Sequence, residues 1–367
     1  MDQNEEAVAA LAAFVTEGSL IGVLPYGNGH INDTYAAYYQ MESGDCKRYL
    51  LQRINNSIFR DVDGLMNNIA GVTSYLADRI RENGGNPKRE ALTLIMPKNG
   101  GLYHIDRKGM YWRMYQFVEN TFSVQIVEKP QDMYYSGLSF GKFQKLLADY
   151  PAQSLSEVIP DFHNTPKRYQ AFMEAVEKDK MGRAAKAEKE IEFVKDHEAD
   201  TGALTGLLER GEFALRVSHN DTKINNILFD KDTGKGLCVI DLDTVMPGLY
   251  HYDYGDAIRS GANSAAEDEP DISKVEIRLD LFEAFTRGYL EAAGSVLSVT
   301  EKAMLPMSAK VMTLECGIRF LTDYLVGDTY FKIHRPEHNL ERARTQFKMV
   351  ADMERKWKAM QEIVQGC

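Results

Sequence analysis

The chain has 367 residues, 44% of them hydrophobic and 26% charged, with a formal net charge of −11. That length exceeds the usual single domain and supplies a sizeable core, so two lobes are expected in an ordinary globular protein. The acidic balance excludes nucleic acid as a main partner, because backbone binding needs a clustered basic surface, but it leaves room for a nucleotide held by a few amides and a metal.

The four cysteines, Cys46, Cys238, Cys316 and Cys367, form no C-x-x-C pair. This argues against a disulfide framework or a structural zinc and fits a reducing compartment. No Lys or Arg occurs in the first 46 residues, and the apolar stretch Ala7 to Val15 is short and flanked by Glu6 and Glu17. Neither a signal peptide nor a membrane span has that form, so a cytoplasmic protein without a membrane partner is expected.

In chain order, residues 5–16 have helical spacing. Segments 19–26, 34–41 and 47–54 alternate apolar and polar residues between Gly-Asn-Gly and Ser-Gly-Asp turns and read as antiparallel strands. Residues 61–82 repeat apolar positions with a period near 3.6, a helix. Strands are expected around 91–96 and 111–118. Helical patterns then dominate at 131–149, 166–178, 182–210, 274–293, 300–326 and 338–364, interrupted by a β-like island from Ala214 to Asp243. The fold class is therefore α+β: a small β-rich lobe with one main helix (1–118), then a large helical lobe (119–367), with a ligand expected between them.

The island carries the chemistry. It reads His219-Asn-Asp221-Thr-Lys223-Ile-Asn-Asn226, followed by Val-Ile-Asp241-Leu-Asp243-Thr. In the H-x-D-x-x-x-x-N loop of kinases an Asp accepts the proton of the attacking hydroxyl. An Asn five residues later and an Asp after the next strand bind metal. Asp221 has the position of that base, Asn226 and Asp241 those of the magnesium ligands, and Asp243 could add a second carboxylate. Hard oxygen ligands suit magnesium, which offsets charge on the transferred phosphoryl group. Lys223 stands where a cation could reach that group, and equally where a loop lysine would be solvated. His219 reads as a structural loop residue.

Upstream, Pro25-Tyr-Gly27-Asn-Gly29-His30-Ile-Asn32 joins two strands. Its glycines would let backbone N–H groups approach phosphates, although Gly-Asn-Gly is also an ordinary turn. His30 and Asn32 could face the nucleotide or the acceptor. The strand that carries a phosphate-binding lysine in protein kinases has Gln52 instead, with Arg53 on its other face. Either magnesium and the Gly-rich loop suffice, or Gln52 donates neutral hydrogen bonds, or Arg53 does the work. Gln116 to Val118 would form a hinge offering backbone groups to adenine, or else a plain edge strand. For the acceptor, Arg319 either lines the site or bridges to Asp323 at i, i+4, and Tyr330 could stack on a sugar ring. Asp253 and Asp256 open a helix where they could cap it, or hold the catalytic loop from behind.

Taken together, the Gly-rich hairpin, H-N-D-T-K-x-N-N, I-D-L-D-T, D-Y-G-D-A-I-R and E-C-G-I-R-F-L-T-D-Y-L resemble the aminoglycoside phosphotransferase superfamily. Within it they look like the N-acetylhexosamine 1-kinases, over nearly the whole chain. The resemblance implies a bilobal, protein-kinase-like fold. It implies transfer of the γ-phosphoryl group of ATP, with Mg2+, to the anomeric hydroxyl of N-acetylglucosamine or N-acetylgalactosamine; a monomer is expected. It also implies Asp221 as base, Asn226 and Asp241 on magnesium, and Arg319 and Tyr330 near the sugar. The alternatives are a related kinase acting on choline, homoserine, methylthioribose or an aminoglycoside, and an inert nucleotide-binding scaffold.

Overall fold

A computed structural model describes residues 3–27 and 31–367. In chain order the elements are α1 (Gln3–Leu11), β1 (Ser19–Pro25), β2 (Asp33–Gln40), β3 (Cys46–Ile54), α2 (Val62–Glu82), α3 (Pro87–Glu90), β4 (His104–Ile105), β5 (Tyr111–Gln116) and β6 (Thr121–Phe122). Next come α4 (Pro130–Leu146), α5 (Thr165–Lys178), α6 (Glu188–Asp196), α7 (Glu198–Thr201), α8 (Thr205–Glu209), β7 (Arg216–Ser218), β8 (Ile227–Asp230), β9 (Gly236–Val239) and β10 (Met246–Gly248). The chain closes with α9 (Tyr250–Gly261), α10 (Leu279–Ala293), α11 (Val299–Ala303), α12 (Leu305–Val326), α13 (His338–Arg355) and α14 (Trp357–Gly366). Among the described residues no helix is long and apolar enough to cross a membrane.

The chain divides into two compact units. The first comprises residues 1–122, 153–160 and 229–246, and the second residues 123–152, 161–228 and 247–367. In the first, an antiparallel sheet runs in the order β1-β2-β3-β5-β4. Alternation places Tyr35, Ala37, Tyr39, Tyr49, Leu51, Trp112 and Met114 on one face, where Ala7, Ala10, Leu11 and Phe14 complete a core. The opposite face carries a polar row in register, Thr34 opposite Gln52 and Gln52 opposite Arg113. The hairpin of β8 and β9 reads in sequence as an insert of the helical part, yet residues 229–246 belong to this first unit. Three contacts explain it: Thr121 and Phe122 pair with Asp230 and Phe229, Arg89 bonds the Asp230 carboxylate at 2.8 Å, and Asn68 on α2 donates to the Val245 carbonyl at 2.9 Å.

The second unit is built around α12, which is buried on nearly every side. A helix buried on nearly every side belongs at the centre. Its Leu314, Ile318, Leu321 and Leu325 pack with Phe172 of α5, Ile191 and Val194 of α6, and Leu340, Phe347 and Val350 of α13. Two helix crossings bring backbones together through glycine. A Cβ on Gly137 or Gly288 would strike carbonyl oxygens of Phe285 or Tyr134 between α4 and α10, and one on Gly255 would strike the Ser308 carbonyl between α9 and α12.

The expected elements differ in detail. Residues 91–96 make bridges rather than a strand, with Ile95 N–H donating to the Met114 carbonyl at 2.8 Å. The single helix expected over 182–210 is broken into a 3-10 turn and α6, α7 and α8, with breaks at His197 and Gly202. The 300–326 and 338–364 patterns are each split, at Met304 before Pro306 and at Lys356. Periodicity cannot see a one-residue break between collinear apolar stripes.

Candidate active site

In the second unit, the loop after β7 is held from below by one buried carboxylate. Asp253, in the first turn of α9, accepts hydrogen bonds from Ser218 Oγ (2.8 Å), the backbone N–H of His219 (3.0 Å) and Asn220 (2.8 Å), and Gln144 Nε2 (2.8 Å). Charge-assisted bonds of this kind are about twice as strong as neutral ones. Asp253 therefore caps the loop rather than its own helix. Three residues on, Asp256 accepts from the Thr222 backbone N–H at 3.0 Å, while Thr222 Oγ1 donates to the Asp253 carbonyl at 2.5 Å. Burial works to raise the Asp256 carboxyl, but Arg259 and then Lys223 outweigh it and hold the group ionised, below its usual range. Asn220 takes the left-handed conformation (φ 65°) that turns the loop, one that Asn tolerates better than most residues. His219 is fully buried, edge-on to Phe140 and Phe143 of α4. It is a packing residue.

This scaffold presents Asp221, Lys223 and Asn226 together. Asn226 Nδ2 donates to the Asp221 carbonyl at 2.8 Å and to its carboxylate at 3.2 Å, so Oδ1 is what its amide has to offer a cation. Lys223 Nζ lies 3.1 Å from the Asp221 carboxylate. That neighbouring charge is the main reason its ammonium pKa is raised.

In the first unit, Asp241 stands at the end of β9 in a left-handed conformation (φ 61°, ψ 59°). For a residue with a Cβ this costs on the order of 1 kcal/mol, and such outliers cluster where surrounding structure holds them for a purpose. Two residues on, Asp243 is buried, and both of its oxygens are engaged. Oδ1 lies 2.5 Å from Arg113 Nη1, a contact of charges rather than an aligned hydrogen bond, and Oδ2 accepts from Asn32 Nδ2 at 2.5 Å. Burial disfavours the Arg113 guanidinium charge, but Asp243 foremost, with Tyr115 and Asp241 adding to it, raises its pKa above the usual arginine value.

Gln52 sits in the middle of the polar row. Its Nε2 donates to Thr34 Oγ1 at 3.0 Å, and its Oε1 accepts from Arg113 Nε at 2.9 Å. Arg53 faces the other way and pairs with Asp33 and Glu6. The register leaves no one-residue ambiguity between Gln52 and Arg53. Gly27 has φ 77°, a conformation suited to glycine, whereas Gly29 and His30 lie outside the described residues. Asn32 Oδ1 also accepts the Asn55 backbone N–H at 2.9 Å. At the expected hinge, the Gln116 N–H is committed to the Thr93 carbonyl (2.8 Å), and the Val118 carbonyl accepts from Thr121 Oγ1 (2.9 Å). Between them, Phe117 lies edge-on to Tyr26 and under the Arg48 guanidinium, 3.8 Å from its ring centre.

On α12 the expected Arg319–Asp323 bridge does not form. Asp323 instead accepts the backbone N–H groups of Thr329, Tyr330 and Phe331, each at 2.9 Å, and the Asn339 amide. Three amides of a tight turn outcompete one flexible arginine. Arg319 is left among the rings of Phe162, Tyr330 and Phe331, with centroids 5.4, 5.9 and 5.6 Å from its guanidinium carbon. A second arginine is nearby: burial, and then Arg319 itself, lowers the pKa of Arg168. One turn before Arg319, buried Glu315 bonds His163 Nδ1 (2.7 Å) and Thr165 Oγ1 (2.6 Å), and His163 Nε2 reaches the Asn220 carbonyl at 3.3 Å. The Glu315 carboxyl would be raised by burial, but His163, followed by Arg319 and Thr165, holds it below its usual value.

Sequence reasoning missed Arg113, Arg168, His163 and Gln144. Arg113 had a signal, a charged residue inside the otherwise apolar run Tyr-Trp-Arg-Met-Tyr. The others stand on helices or loops whose pattern is ordinary.

The sequence profile of the phosphotransferase enzyme family (APH) matches residues 104–294, just over half of the chain. The chain belongs to this family. It is a phosphotransferase. Solved structures share its fold. An aminoglycoside phosphotransferase from Alicyclobacillus acidocaldarius superposes with a TM-score of 0.61 at 9% identity, over 98% of this chain and 96% of that one. A choline kinase from Cryptosporidium parvum gives 0.57 at 15% over 99% and 98%. An amicoumacin kinase solved with AMP-PNP and Ca2+ gives 0.58 at 13% over 97% and 94%. The α+β architecture, a small antiparallel sheet followed by a large helical part, is that of these kinases.

Proposed function

We propose that the protein phosphorylates N-acetylhexosamines, N-acetylglucosamine or N-acetylgalactosamine, at the anomeric hydroxyl, with ATP and magnesium as cosubstrates. One observation carries the acceptor class. Arg319 stands one helical turn from Glu315, which reaches the catalytic loop through His163 and Asn220, and it lies among aromatic rings with Arg168 beside it. Two guanidinium groups repel a cationic acceptor such as choline or an aminoglycoside. Arginine donors suit the hydroxyl and acetamido oxygens of a sugar, and an exposed ring such as Tyr330 (63% exposed) suits its apolar face. The motif resemblance to N-acetylhexosamine 1-kinases points the same way.

In this reading Asp221 accepts the proton of the anomeric hydroxyl as that oxygen attacks the γ-phosphorus and the bond to the β-phosphate oxygen breaks. Lys223, its Nζ 3.1 Å from the Asp221 carboxylate, offers a cation to the transferred group. Magnesium, when bound, neutralises charge on the phosphates. The donors available to it are hard oxygens, the Asn226 amide and the Asp241 carboxylate, which fit its chemistry. Gly27, Gly29, His30, Asn32, Gln52, Gln116 and Val118 form the nucleotide side. Gln52 and Asn32 act there through Arg113, Asp243 and the Asn55 backbone, to which they are bonded.

ADP release should be measured with N-acetylglucosamine, N-acetylgalactosamine, choline, homoserine, methylthioribose and an aminoglycoside. The product should be identified by phosphorus and proton spectroscopy. An anomeric phosphate on an N-acetylhexosamine is expected. Turnover confined to a cationic alcohol would overturn the acceptor assignment, and no turnover on any alcohol would favour the scaffold.

A further inference from the structure

The first unit contains a fully buried guanidinium beside Gln52, the β3 residue that stands where protein kinases have a phosphate-binding lysine. Arg113 is 1% exposed. Its Nε is bonded to Gln52 on the neighbouring strand, and its Nη1 faces the Asp243 carboxylate at 2.5 Å. The other Asp243 oxygen is bonded to Asn32, whose own carbonyl is fixed by the Asn55 N–H. Thr34, Gln52, Arg113, Asp243 and Asn32 therefore form one chain of contacts. It runs across β2, β3 and β5 into the turn after β9 and back to the hairpin shoulder. Asp243 has no oxygen left over, and Asp241, two residues before it, is held at positive φ.

We propose that Arg113 is a positioning residue for the metal: oriented by Gln52, it fixes Asp243 as an anchor, and this anchor sets the turn that presents Asp241 to the divalent cation of the nucleotide complex. Gln52 is then not a degraded phosphate lysine. It is the amide that aims the arginine of the next strand. Asp243 is the recipient of that arginine rather than a second metal ligand. Burial supports a positioning role over direct phosphate contact, because a side chain exposed by 1% has no face to offer a triphosphate. The geometry also requires arginine, since only a guanidinium can bond Gln52 through Nε while meeting a carboxylate through Nη1.

The inference rests on the kinase reading, and its test separates the two. Mn2+ binding to the protein–ADP complex is measured by the paramagnetic signal of free Mn2+, for the wild type, Arg113→Lys, Arg113→Met and the double variant Arg113→Met/Asp243→Asn, with melting temperature recorded in parallel. Arg113→Lys and Arg113→Met should both weaken Mn2+ binding by about tenfold or more, whereas ADP affinity without metal changes less than about twofold. The double variant removes both charges and should regain most of the melting temperature lost in Arg113→Met, because a buried pair is replaceable when both members go, but its Mn2+ binding should stay weak. Wild-type Mn2+ affinity in Arg113→Lys, or recovery of Mn2+ affinity along with melting temperature in the double variant, would reduce Arg113 to a structural ion pair and overturn the proposal. A wild-type protein–ADP complex that holds no Mn2+ would overturn the kinase reading and this inference together.

Discussion

The two acidic turns of this phosphotransferase are secured in opposite ways. The loop bearing Asp221 hangs on its own backbone amides, two of them gathered by Asp253 and a third by Asp256, 33 or 34 positions later in the chain. The turn bearing Asp241 is fixed by a charge pair with a partner 130 positions earlier in the chain, at Arg113. Backbone bonds leave the side chains of a loop free for chemistry and allow no substitute. A side-chain ion pair spends two residues on support but can be exchanged as a unit.

The largest effect expected is at the loop's working residue. Asp221→Asn should lower kcat by roughly two to four powers of ten with ADP binding nearly unchanged, as for a positioned base. Steady-state rates with a nucleotide titration decide it, and near-normal turnover would remove Asp221 from the role. Next comes the loop's support. Asp253→Asn should destabilise the protein by about 3–5 kcal/mol in urea unfolding, since an amide cannot accept four donors and leaves buried N–H groups unpaired. No second substitution should restore it, in contrast to the exchangeable pair at Arg113. A loss under about 1 kcal/mol would erase the distinction between the two turns.

A third test is pH. His251 is fully buried, stacked on Phe213, with Nε2 donating to the Glu301 carbonyl at 2.8 Å. Burial pushes its pKa down from 6.5 to about 4. The unfolded chain therefore binds a proton between these values that the folded protein refuses. The resulting loss begins as pH falls below about 6.5 and is complete near 4, on the order of 3 kcal/mol. His251→Phe should flatten that part of the unfolding-versus-pH curve, and an unchanged slope would assign it to other groups. The smallest effect concerns the acceptor. Arg319→Ala and Arg168→Ala should each raise the sugar KM by about tenfold, or ~1.4 kcal/mol, while the ATP KM moves little. Equal changes in both constants would return these arginines to structure.

The grouping of Asp221, Lys223 and Asn226 was legible because they lie within six positions of one loop. Strands β1, β2, β3 and β5 were legible from alternation, and α2 from its period. Arg113 was not assigned a role, because its partners are Gln52, 61 residues away, and Asp243, farther still. Only the register of β3 against β5 brings the first to it. The Arg319–Asp323 spacing suggested a bridge, and local spacing lost to the turn that claims Asp323. The short helices α7 and α8 on either side of Gly202 escaped because short breaks do not disturb an apolar stripe.

The glycine contact between α4 and α10 acts as a gauge for the loop after β7. Side chains along α4 touch His219 and Asp253, and Tyr289 of α10 bonds Gln144. With backbone against backbone at Gly137 and Gly288, the spacing is set by peptide geometry and not by adjustable side chains. One added methyl at Gly288, far in sequence from any reacting atom, would be transmitted to the loop at full size. This pair therefore has almost no room for substitution.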